Sequence, residues 1–249
     1  MLWSAGKPGV EDVLLGLEAD TAAYSGQLGK AREFSRQAVA SAERAEEKET
    51  AAGYKADAAV RETLFGNAAE ARQRTKAVLG FSNGRDVQFG AALALAFAGD
   101  AIRSQLLADD LAKRFPEDTI VRFNYLPTLH AQLALTSNEP SKAIEALQAA
   151  TSYELGTLYP VYVRGEAYLA ARQGSKAADE FQKILDHRGI VVNQPIGALA
   201  HLGLARAYVL QGDKVKARAA YQDFLTLWKD ADPDIPVLLA AKAEYTKLQ

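Results

Sequence analysis

The stretch "ALAHLGLARAYVLQGDKVKARAAYQDFLTLW", residues 198–228, carries the pattern from which the architecture follows. Small and aromatic residues recur at helical intervals on both sides of a Gly-Asp break, which predicts two short helices rather than one long one. Helices that pack about 8–10 Å apart need small residues where they face each other. Ala205 and Ala217, twelve residues apart across Gly212, meet that need. The same spacing recurs five more times: Ala19 with Ala31, Ala59 with Ala71, Ala92 with Ser104, Ala131 with Ala143, and Gly165 with Ala177. A break separates each pair: Gly26, Gly66, Gly99 and Gly212 in four units, "SNEPS" (137–141) in the fourth and "RQGS" (172–175) in the fifth. Glycine suits a helix end because it enters the left-handed region without steric cost.

Successive second members lie 40, 33, 39, 34 and 40 residues apart, so the units are of one kind with insertions between some of them. Their approximate spans are 11–45, 50–82, 86–117, 119–152, 158–189 and 197–229, followed by an amphipathic segment at 235–248 with no partner helix after it. One such hairpin cannot bury its apolar face alone, so neighbours must stack. The expected architecture is all-α: a single solenoid domain of about six antiparallel helix pairs, closed by a C-terminal capping helix and leaving a trough along its inner side. The opening "MLWSAGKPG" lacks the basic start and apolar run of a signal peptide and reads as the edge of a piece of a longer chain.

Composition narrows the chemistry. Alanine is the commonest residue and prolines number only 8, which favours helix throughout. A net charge of −2 gives no electrostatic footprint for nucleic acid or an anionic membrane. The most apolar run, Phe89 to Gly99, falls short of the about 20 residues a bilayer requires. There is no cysteine, hence no disulfide and no thiolate ligand or nucleophile. The three histidines, His130, His187 and His201, lack a His or Cys partner at metal-binding spacing. Asp109 and Asp110 are adjacent and point to different helix faces, and "AGKPG" (5–9) lacks the glycine and Ser/Thr of a phosphate loop and reads as a turn. "AERAEEKET" (42–50) mixes charges as a solvated helix end does. Neither a catalytic constellation, nor a metal site, nor a cofactor is expected.

The stretches "LGLARAYVLQGDKVKARAAYQDFL" (202–225), "FAGDAIRSQLLADDLAKRFP" (97–116) and "GNAAEARQRTKAVL" (66–79) resemble tetratricopeptide repeats, with Pro116 as a closing proline. The first two units depart from the pattern, Ala22 and Glu62 standing where Tyr168 and Tyr208 stand later. More narrowly, residues 158–190 and 198–236 resemble the C-terminal repeat regions of bacterial eukaryotic-like serine/threonine kinases, although no kinase motif is present. The resemblance to tetratricopeptide repeats implies a right-handed superhelix. It also implies a noncatalytic interaction scaffold that binds a protein or peptide segment in a concave groove lined by the first helices, with the regulatory part of a kinase-type protein as its setting. A small-molecule sensor using the same groove is the alternative.

In such arrays the residues just after, and three or six before, the first-helix small residue face the groove. Applied here, that rule selects Phe89, Tyr125, Thr128, Gln132, Tyr159, Tyr162, Glu166, Leu202 and Arg206. Tyrosines suit peptide grooves through a rigid ring with a polar tip, and they suit packing between repeats equally. The Lys and Asn set of a carboxylate clamp is absent from these places. The insertion "DHRGIVVNQPIG" (186–197) offers His187, Arg188 and Asn193 at the groove edge, or merely joins two units and caps a helix.

Overall fold

The computed structural model describes residues 9–248, so the turn expected at 5–9 lies outside the described residues except for Gly9. Six antiparallel helix pairs follow one another: α1 (Glu11–Tyr24) with α2 (Leu28–Arg44), α3 (Lys48–Leu64) with α4 (Ala68–Leu79), and α5 (Arg85–Phe97) with α6 (Ala101–Arg114). Then come α7 (Leu126–Thr136) with α8 (Pro140–Ala146), α9 (Tyr159–Ala170) with α10 (Gly174–Asp186), and α12 (Pro195–Gln211) with α13 (Lys214–Leu227). A short α11 (Arg188–Val191) lies in the insertion, and α14 (Pro236–Thr246) ends the array. No described helix is long and apolar enough to cross a membrane.

All twelve small residues of the repeat are buried. Ser104 shows why small size matters, because its hydroxyl reaches across the hairpin and donates to the Ala92 carbonyl at 2.9 Å. Gly165 and Gly203 form a bed for the ring of Phe181, and a Cβ on Gly203 would stand 2.5 Å from that ring. Phe181 thereby wedges α10 between the first helices of the fifth and sixth pairs.

The six turns share one backbone. Gly26, Gly66, Gly99 and Gly212 have positive φ, and Asn138 and Arg172 adopt the same region in the units without glycine there. In each, the N–H of the residue after the left-handed one donates to the carbonyl five residues earlier, from Gln27 to Ala22 through Asp213 to Tyr208, at 2.8–3.1 Å. In units 3 and 6 that donor residue is aspartate, and Asp100 and Asp213 also cap the following helix by accepting from Arg103 N and Lys216 N.

Two local departures from the repeat shape the surface of the fourth unit. Pro127 has no N–H to give, and the preceding Val121–Tyr125 segment widens into a π-turn, with Leu126 N donating to Val121 O. Helix α8 is short and tightens into a 3-10 turn at Leu147–Ala150, so residues 151–157 form a separate wall before α9.

The array does not remain an open spiral. The turns of units 1 and 2 come back against the segment that follows α13. Asp232 N donates to Gly26 O at 3.0 Å, Trp228 Nε1 to Tyr24 O at 2.9 Å, and Val237 N to Phe65 O at 3.3 Å. Trp228 fills this joint, 5.0 Å edge-on from Phe65 and 4.7 Å from Phe224. One apolar cluster therefore joins Ala22, Val60 and Leu64 to Tyr162, Leu202 and Leu238. The continuous trough expected from the repeat is corrected by this closure: burying that inner apolar surface favours contact over an empty groove.

Candidate functional site

What remains of the inner face is a recess of 340 Å³ where the first helices of units 2 to 5 converge. Thr63 and Leu64 end α3, Phe97 ends α5, Gln132, Leu135 and Thr136 come from α7, and Tyr162, Glu166 and Ala170 come from α9. Helical periodicity places Tyr162 and Glu166 one turn apart on the same face. Burial pushes the Glu166 carboxyl up, the charge of Arg206 works against that shift, and Glu244 adds to it. Arg206 makes no ion pair with Glu166; both its Nε and Nη2 bind the Glu244 carboxylate of α14 at 2.9 Å. Tyr221 also donates to that carboxylate, at 2.7 Å. The Oε1 atom of Gln132 is buried without a partner.

The structure brings Gln132, Tyr162 and Glu166 together and sends the other groove candidates elsewhere. Phe89 and Tyr125 stack on each other with centroids 3.7 Å apart, and the Tyr125 hydroxyl donates to Asp86 at 2.9 Å. Both are largely buried in a cluster between units 3 and 4. Thr128 is fully buried and returns its hydroxyl proton to Asn124 O at 2.6 Å, and Leu202 is 1% exposed within the closure core; neither offers a ligand any surface. Tyr159 is half-buried, its phenol raised by burial and by the charges of Asp57 and Asp20. Arg206, tied to Glu244, serves the C-terminal helix.

The insertion divides in the same way. Asn193 does not reach over a groove edge: its side-chain amide donates at 2.8 Å to Leu17 O and to Thr21 Oγ1, pinning the insertion to α1. Arg188 is exposed, with Nε directed to Leu185 O at 3.4 Å. His187 sits 2.8 Å from Lys183 O through Nδ1 and borders a second, larger cavity of 800 Å³ at the edge of the array. That edge cavity lies where α8 stops short. Its wall at residues 151–157 is held by Arg164, which binds Glu154 and Glu180 at 2.6 Å each, while Lys183 binds Glu154 at 2.8 Å. Asn124 Oδ1 and Thr157 Oγ1, on residues that line it, are buried without partners. No cluster of three or more His, Cys, Asp or Glu suited to a metal occurs among the described residues.

The inner-face rule omits Phe97, Thr63 and Leu64, which sit near the C-terminal ends of their helices, beyond the positions it samples. Asn124 and the 151–157 wall carry no sequence signal of their own, since a foreshortened helix and a π-turn create them.

Hairpins of one design, stacked with small residues at every contact, define the class: a helical repeat protein. The family model that matches is the tetratricopeptide repeat, over residues 128–189 and 162–234. The matched segments are the fourth to sixth hairpins, which are thus similar to tetratricopeptide repeats, modules that generally mediate protein–protein interaction. No curated protein matches the chain.

Proposed function

We propose that this chain is an interaction scaffold that docks a segment of a partner protein at the recess formed by Gln132, Tyr162 and Glu166. The convergence of these three inner-face side chains in the accessible part of a face otherwise closed supports the reading most directly. A photo-crosslinking residue at exposed Ala170 tests it against the same residue at outer-face Ile102. Docking predicts an adduct from position 170 only, lost when Tyr162→Ala is added. Equal adducts from both positions, or one indifferent to Tyr162→Ala, sink the proposal. The likeness of residues 158–190 and 198–236 to kinase-associated repeats supports a regulatory setting in a larger kinase-type protein. The full reading frame tests that setting through the presence or absence of a kinase domain.

The edge cavity favours a second reading, a small-molecule sensor, because 800 Å³ bordered by two unpartnered buried polar atoms suits a small ligand. A metabolite panel read by thermal shift tests it: a ligand present well above its Kd raises the melting temperature by mass action. A hit whose effect persists in Asn124→Ala would remove this cavity as the site.

A further inference from the structure

We infer that the recess takes the cationic side chain, arginine or lysine, of the docked partner segment; the inference rests on the docking reading of the same recess. Among the described residues, the Glu166 carboxylate has neither an ion pair nor a hydrogen-bond partner, and the nearby cation, Arg206, is already committed to Glu244 through two bonds of 2.9 Å. Thr63 donates its proton to Val60 O at 2.8 Å, and Thr136 donates its own to Gln132 O at 3.0 Å or Ala96 O at 3.2 Å. Both hydroxyls, on residues that line the recess, thus keep only acceptor capacity, and the Gln132 side-chain amide adds an acceptor without a donor, Oε1, beside its own N–H donors.

Glu166 is the one charged side chain among the described residues that line the recess, and an unpaired carboxylate calls for a cationic donor. Ammonium and guanidinium groups carry three and five N–H donors and no acceptor, whereas a carboxylate or phosphate would set like charge against Glu166. The apolar side of the recess suits the rest of such a side chain. Phe97 and Tyr162, 6.5 Å apart with their rings inclined by 57°, and Leu64 line the same recess and supply aromatic and aliphatic surface for a methylene stem. At 340 Å³ the space is at the lower end for a small-molecule pocket and fits one long side chain. A protein segment rather than a free amine is the chosen source because the recess is open along the inner face of four successive hairpins.

Arrays of blocked seven-residue peptides, degenerate except for a fixed central Arg, Lys, Leu or Glu, test this with the full chain as probe. Wild type should retain the Arg and Lys sets at least about tenfold over the Glu set. Glu166→Gln, with helical content and melting temperature checked, should bring that ratio close to one. Gln132→Lys, whose own ammonium can occupy the recess, should abolish the preference independently. Capture that ignores central charge but is lost in Tyr162→Ala overturns the cation assignment and leaves docking standing. No capture from any set sinks both. Free arginine amide binding as tightly as the Arg peptides overturns the choice of a protein segment.

Discussion

The turns of units 1 and 2 and those of units 3 and 6 share a left-handed glycine but differ in their surroundings. A Cβ on Gly26 would lie 2.5 Å from the Ala231 Cβ and 2.7 Å from the Trp228 ring, and one on Gly66 would lie 2.8 Å from Pro236. At Gly99 and Gly212 an added Cβ would meet nothing within 4 Å. In the later turns glycine answers only the backbone; in the early ones it also lets the C-terminal segment press against the chain. The same residue type thus reports two different constraints, and the second is the signature of closure.

Substitutions at the closure joint and at the turns should differ in cost by graded steps. Trp228→Ala empties the joint and should cost about 4 kcal/mol in chemical denaturation, since a buried Trp contributes both transfer and cavity terms. Gly26→Ala adds overpacking to backbone strain and should cost about 3 kcal/mol, against about 1 kcal/mol for Gly212→Ala, where strain acts alone. Equal costs at the two glycines would show that the C-terminal segment does not bear on the first turn. Asn193→Ala removes two hydrogen bonds to α1 and should cost about 1 kcal/mol, with faster amide exchange in α1 than in α12.

The smallest effect concerns acidity within the inner face. Asp57 keeps wetted surface but is hemmed in by α1 and α9, where Asp20, Arg61 and Tyr159 are its charged and polar neighbours. Burial pushes its carboxyl up from 3.8 to about 6, Arg61 opposing and Asp20 adding to the shift. A raised folded-state value means that the folded chain holds the proton more tightly than the unfolded one. Stability from this group is therefore full at low pH and is lost as pH rises through about 4 to 6. Asp57→Asn should raise the melting temperature at pH 7.5 relative to wild type and bring the two closer at pH 4.5.

The hairpins were legible because each depends on residues twelve apart in one segment: Ala205 and Ala217, or Ala92 and Ser104, record a contact that sequence spacing fixes. Even the units farthest from the family pattern keep the geometry. Glu62 stands where Tyr208 stands in unit 6, and its buried place is stabilised by a two-bond ion pair with Arg32, at 2.8 Å twice. Tyr208 instead lies beneath the Lys216 ammonium, 5.5 Å from its centroid. Closure was not legible, because Trp228 meets Tyr24 across two hundred residues with no periodic mark. That contact also explains the mixed fate of the inner-face candidates. Closure turned Leu202 from groove lining into core and gave Asn193 a structural partner, while Tyr162 and Glu166 border the part left open.

A linear array can gain or lose a repeat, since the next copy offers the same surface to whatever comes after it. Here the α1–α2 hairpin must find the segment after α13 at one particular distance. Duplicating or deleting a unit between Tyr24 and Trp228 would carry the two apart, so the number of hairpins between them is itself a dimension of this fold, held by fit.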